Sequence, residues 1–292
     1  MLKLKSLLTE APADDVAKLA DAPLATTVSM LKKLAADKDV VNVLAAGTED
    51  GDIKDEQVNF GSAAVSCRKM FPTQAEIGFG NSIDDACKVQ PWRSAVKAAF
   101  KAPVLMPSKP DNIPVLAASV GGKIFILDGH HRWSLCFMIN PDAKMQCDIM
   151  EVPSGKDAED ALKIMQMAIA AKAGRVLTKD FEGKDLMGVG SAEVQQYVLD
   201  NIEQGRIDEF AEGNPALDSA EAIAEHMAAN HGDIKAMKGK FPRSIMPQAD
   251  HSGAPQGTVN KSLERGTINF DEPFGEGVTL KEHFQKIAKI KK

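Results

Sequence analysis

The chain has 292 residues, 44% of them hydrophobic but only 5% aromatic, and a formal net charge of −6. That length suits one large domain or two smaller ones. The acidic balance disfavours extended electrostatic binding to nucleic acid without forbidding a local basic groove, and no apolar run approaches the roughly 20 residues of a membrane-spanning helix.

Residues 1–57 read as an N-terminal helical segment. Asp14 to Leu19 and Thr26 to Ala36 carry apolar residues at helical spacing, with Pro12 and Pro23 marking starts. Met1 to Leu8 is too short for a signal peptide and acidic residues follow it. A strand is expected around Ala63–Ser66. Phe71 to Ile83 contains Pro72, Gly78 and Gly80, which predicts a short extended segment and then a loop. A helix is expected over Trp92–Phe100, after which Pro103, Pro107, Pro110 and Pro114 interrupt the chain.

Residues 113–127 predict a hairpin, because Gly121-Gly122 joins two apolar runs. A buried helix is expected over 130–139, ended by Asn140-Pro141, and a strand over Met145–Val152. Ser154 to Ala173 predicts a helix with a capping-box-like Ser154/Asp157 pair and a face of Leu162, Met165, Ile169 and Ala173. Helices are expected over 191–204 and 215–231. From Gly239 to Gly277 the chain is rich in Gly, Pro and polar residues, which predicts an extended arm, and Thr279–Lys292 a short basic helix. The expected units are thus 1–57, 58–174, 175–238 and 239–292.

The four cysteines, Cys67, Cys87, Cys136 and Cys147, form no C-x-x-C pair and no zinc-spaced cluster. Cys136 and Cys147 lie in apolar surroundings, as small buried hydrophobes do. A reducing compartment and a cytoplasmic location are expected.

Lys123-Ile-Phe-Ile-Leu-Asp-Gly-His-His-Arg-Trp133 carries the most chemical information. A strand runs into Asp128-Gly129 and a helix opens under His130, His131 and Arg132. The positive end of a helix, one guanidinium and two imidazoles suit an anion, most simply a phosphate. A cation in the first helical turn is unfavourable unless an anion compensates it.

The order hairpin, Asp-Gly-His-His-Arg, helix, strand resembles the ParB/sulfiredoxin superfamily, over about residues 58–152. Gly129 to Arg132 matches its Gly-x-x-Arg signature, and Pro72-Thr-Gln-Ala-Glu-Ile77 is similar to its opening Pro-x-x-(Gln/Glu) segment. The resemblance implies an α+β domain with a small mixed sheet, flanked by the N-terminal helical segment and a mostly helical C-terminal region. It also implies nucleotide binding at the helix start. Sulfiredoxin has its catalytic cysteine where this chain has His130, so that activity is not expected. The layout, with Pro242-Arg-Ser-Ile-Met-Pro-Gln248, also resembles uncharacterised ParB-like proteins of tailed phages.

Three functions follow as expectations. In the first, the chain is a phosphotransferase or NTPase using ATP or ADP, or another nucleotide, with Mg²⁺ and a small-molecule acceptor. Gly129, His130, Arg132, Asn81 and Ser82 would contact the nucleotide; Glu76, Asp128 and His131 would be catalytic. Glu76 is the candidate base, or else an ordinary exposed carboxylate. Asp128 is an N-cap acceptor, a Mg²⁺ ligand, or both. His130 and His131 are adjacent and cannot face one point, so one contacts ligand while the other packs. The second is a non-catalytic structural protein that keeps the fold and meets other virion subunits or its own copies, in the virion or host cytoplasm. The third, disfavoured by charge, is a nuclease or partition factor; no membrane partner is expected.

Overall fold

The computed structural model describes residues 22–34, 59–89, 94–101, 114–152, 157–173 and 178–247. It is α+β, built on a five-stranded mixed sheet. The strands are β1 (Asn59–Ser66), β2 (Met70–Pro72), β3 (Val115–Val120), β4 (Lys123–Asp128) and β5 (Lys144–Glu151), in spatial order β1-β5-β3-β4-β2. Pairs β1–β5 and β3–β4 are antiparallel, whereas β3–β5 and β2–β4 are parallel. Gly121 and Gly122 join β3 to β4 with φ of 56° and 79°. Two consecutive left-handed residues make the tight turn whose twist suits a hairpin.

The helices are α1 (Leu24–Leu34), α2 (Phe79–Cys87), α3 (Ala95–Ala99), α4 (His130–Ile139), α5 (Ala158–Ala173), α6 (Ser191–Asn201), α7 (Gln204–Gly213) and α8 (Ala220–Met237). Side chains alternate across a strand, so β4 turns Ile124 and Ile126 to one face and Phe125 and Leu127 to the other. Ile124 and Ile126 join the main core with Val115, Met145, Cys147 and α4. Every residue from Trp133 to Ile139 is buried, as expected of a helix apolar all round. Trp133 stacks edge-on with Phe137 at 5.5 Å and donates from Nε1 to the Cys67 carbonyl at 3.0 Å. Helices α2 and α8 cover α4, while α5 lies on β3 and β4 and carries α1.

The region after residue 177 is bolted to this core. Leu186 N–H donates to Ile77 O and Phe79 N–H to Lys184 O. His231 bridges Ser191 and the Leu186 carbonyl, and its burial lowers its pKa. The segment following α8 then crosses the end of β2. Lys240 and Phe241 N–H groups both donate to Thr73 O, and Ala75 N–H donates to Phe241 O. It ends in a 3-10 turn, Arg243–Ile245, where Gln166 Nε2 donates to Ile245 O at 2.8 Å.

The structure corrects several sequence expectations. Phe79–Cys87 is a helix, not a loop: Gly78 is its N-cap, and Phe79, Ile83, Ala86 and Cys87 bury one face. Glycines at a helix start do not interrupt it. The predicted 191–204 helix is followed by a separate α7, whose buried face is only Arg206 and Phe210. Arg206 lies fully inside, bonded to Ser94, Glu209 and the Lys88 carbonyl. Helix α8 starts later than expected, where Ser219 accepts from Ala222 N–H. Asp157 caps α5 through Glu159 and Asp160 N–H groups; Ser154, and the side chains of Ile169 and Ala173, lie outside the described residues. So do Asp14–Leu19, Trp92, and the expected arm and terminal helix beyond 247. Residues 239–247, at the root of that arm, are packed structure.

All four cysteines are buried free thiols. Burial pushes the Cys87 thiol up to about 12, and the Cys136 hydrogen bond and burial raise that of Cys67. None is a ready nucleophile. Among the described residues, no helix is long and apolar enough to cross a membrane.

Candidate functional site

Strand β4 ends at Asp128, and Gly129 turns the chain with φ 105° and ψ 17°. An L side chain rarely adopts that conformation. A Cβ here would also stand 3.0 Å from Arg132 Nη2 and 3.2 Å from a Val115 methyl. Gly129 is the N-cap of α4 and has no side chain to cap it. Asp128 stands one residue before that N-cap position.

The two histidines diverge, as adjacency requires. His130 is 3% exposed. Its Nε2 accepts from the Thr73 and Gln74 N–H groups, each at 3.2 Å. Thr73 Oγ1 is 3.3 Å from the same nitrogen and donates to Ile126 O at 2.5 Å. With Nε2 accepting, the proton is on Nδ1. Burial, then the charges of His131 and Arg243, depress the His130 pKa to about 3. His130 is thus a neutral clamp on the Pro72–Gln74 segment.

His131 takes different partners. Its Nε2 accepts from Gly78 N–H at 3.0 Å and from Arg243 Nη1 at 3.2 Å. A Cβ on Gly78 would be 2.9 Å from that nitrogen, so glycine lets the start of α2 approach α4. Arg243 is 9% exposed, and its backbone N–H donates to Glu76 Oε2 at 2.9 Å. Its pKa is lowered by burial and supported by Asp128, Glu182 and Glu76, in that order.

Arg132 reaches the Pro114 carbonyl from Nη2 at 3.3 Å. Desolvation lowers its pKa and Asp128 raises it. Asp128 therefore acts electrostatically on both guanidinium groups, one from α4 and one from the segment after α8. Arginine stays charged despite such shifts.

Glu76, His131 and Arg243 form one hydrogen-bonded chain, with Asp128 and Arg132 beside it. Asn81 is exposed in the first turn of α2, with Nδ2 3.9 Å from where a Gly78 Cβ would be. Ser82 points inward: its hydroxyl donates to Gly78 O and accepts from Ser134 Oγ. Ser82 and His130 are in place as internal braces. Among the described residues, no group of three or more His, Cys, Asp or Glu side chains is placed to hold a metal ion. A cation on Asp128 would need ligand oxygens or water for its remaining positions.

Sequence reading missed Arg243. A signal existed: Pro242-Arg-Ser-Ile-Met-Pro247 carries apolar residues within a polar segment, and Met246 and Pro247 are buried. Comparison of the chain with protein-family models, curated proteins and solved structures finds no match.

Proposed function

We propose that the chain binds a nucleotide, its phosphates held at the start of α4, and that its fold is of the ParB/sulfiredoxin type. The observation that supports this is Asp128, at the end of β4, acting electrostatically on both Arg132 and Arg243 beside the left-handed Gly129 that opens α4. Anions favour helix N-termini and guanidinium groups. Gly129 lets the chain turn into α4 at a positive φ and lets Arg132 lie close against the turn.

A bound nucleotide would supply the transferable phosphoryl group, and Mg²⁺, if held by Asp128, would offset phosphate charge. This chain's own residues would do the rest. Arg132 and Arg243 would orient the anion. Glu76, partly buried, would take the proton of an acceptor hydroxyl or water. His131 would position Arg243 through the contact that it already makes.

A second reading also has an observation behind it. Nε2 of both histidines accepts main-chain N–H groups, which is what a framework needs. In that reading the protein is a non-catalytic structural or virion-associated component.

A thermal-shift screen of ATP, ADP, CTP and GTP, with and without Mg²⁺, tests the proposal. A stabilising nucleotide whose effect is lost in Arg132→Ala supports it. Glu76→Gln should then bind as well as the parent while turnover drops roughly 10²–10⁴-fold. No shift with any nucleotide, together with self-assembly in sizing, would favour the structural reading.

A further inference from the structure

The segment 238–243 has two sides, and only one of them serves the Arg243 corner. On the other is a cavity of about 400 Å³ beside the edge strand β2. Phe71, Phe125 and Phe241 form its apolar walls. All three are only partly buried, whereas Phe79, Phe137 and Phe210 are at most 4% exposed. A chain with 5% aromatics thus leaves three of its twelve phenylalanines open around one space. Phe71 and Phe125 stand 5.8 Å apart, tilted at 40°.

Charge at the rim is net positive, three lysines against two carboxylates. Lys123, Lys238 and Lys240 border the cavity, all exposed. Asp157 and Glu159 border it too, but both carboxylates are committed to helix starts. Asp157 Oδ1 accepts from the Glu159 and Asp160 N–H groups, and Glu159 Oε1 accepts from Leu24 N–H at 2.6 Å. Among the described residues, none of the three ammonium groups is paired with a carboxylate. Lys123 rests over the Phe71 ring at 5.8 Å. Lys238 has a φ of 41°, the one left-handed non-glycine among the described residues. It is the residue that ends α8, where a positive φ is common.

We propose that this cavity is a second ligand site, for a small amphipathic anion: an aromatic or short alkyl body against the three phenylalanines, and a carboxylate, sulfonate or phosphate head at the three lysines. Pockets of this size with apolar walls and a few convergent charges suit small ligands. The site is distinct from the α4 corner, and Thr73 stands between them. Thr73 lines the cavity, while its N–H is held by His130.

The probe is 1-anilinonaphthalene-8-sulfonate, titrated by fluorescence against the full chain. Saturation near one equivalent is expected, with at least tenfold weaker binding in the Lys123→Glu/Lys240→Glu double variant. Those lysines are exposed, and circular dichroism checks that the variant folds. The neutral analogue N-phenyl-1-naphthylamine should bind more weakly than the sulfonate, and Arg132→Ala should leave dye affinity unchanged. Equal affinity in parent and double variant, equal affinity for the neutral analogue, loss of dye binding in Arg132→Ala, or no saturation at millimolar dye would each overturn the proposal.

Discussion

Arg243 donates from Nη1 to Nε2 of His131 at 3.2 Å, across 112 positions of sequence. The contact joins the segment after α8 to the first turn of α4. It brings a second guanidinium to a corner where α4 itself supplies only Arg132.

The first prediction concerns that second charge. Arg243→Ala should weaken nucleotide binding roughly tenfold to hundredfold, the cost of a lost charge-assisted contact of about 1.5–3 kcal/mol. Arg243→Lys should recover part of the loss, because an ammonium keeps the charge but not the planar fork. Calorimetry with the nucleotide found by thermal shift is the measurement. Identical affinity in parent and Arg243→Ala would remove Arg243 from the site.

Much of the framework was legible in the sequence. The Gly121-Gly122 hairpin and the 130–139 helix announce themselves through local rules: paired glycines between apolar runs, and an apolar segment closed by Asn140-Pro141. Arg243 does not, because its position depends on Thr73 and Phe241 pairing across the end of β2. No local pattern encodes a contact made at that range. The two histidines show the same limit. Adjacency required them to diverge, but the identity of their partners, Thr73, Gln74 and Gly78, is a tertiary fact. Helix α2 was missed because glycine is ambiguous: it interrupts helices from within and begins them from outside.

A second prediction follows from the depressed His130 pKa. An ordinary histidine titrates near 6.5, while His130 stays neutral down to about 3. The unfolded chain therefore gains a proton below pH 6.5 that the folded chain refuses. Stability is complete above 6.5 and falls as pH drops toward 3. Between pH 7 and pH 5 this site should account for about 2 kcal/mol. His130→Gln places an amide oxygen near the Nε2 position and cannot titrate. Urea unfolding at the two pH values should show that portion of the pH dependence missing in His130→Gln. An unchanged pH slope in the variant would mean that His130 does not carry it.

Gly129 supports a third prediction. With φ 105° and Arg132 Nη2 only 3.0 Å from a notional Cβ, Gly129→Ala combines backbone strain with displacement of the guanidinium. The strain should cost about 1–3 kcal/mol in chemical denaturation. Nucleotide affinity should fall as well, because Arg132 must move. Gly121→Ala is the control: it too has a positive φ, but open space around it. It should lose stability and keep affinity. Matching affinity losses in both variants would show that the effect is global destabilisation.

The fourth prediction separates the crossing segment from the side chain that it delivers. A Cβ on Gly239 would be 1.9 Å from the Gln74 carbonyl oxygen and 2.3 Å from its carbon. Those atoms are main chain and cannot rotate away, so Gly239→Ala must lift the segment from Thr73–Ala75. Arg243 would then leave His131, with its own guanidinium intact. Gly239→Ala should therefore reproduce the nucleotide-affinity loss of Arg243→Ala. Hydrogen exchange should increase at the Phe241 and Ala75 N–H groups, while those of α4 remain protected. Combining Gly239→Ala with Arg243→Ala should weaken binding no further than either alone, because both remove the same contact. Additive losses would show that the segment reaches the nucleotide through something other than Arg243.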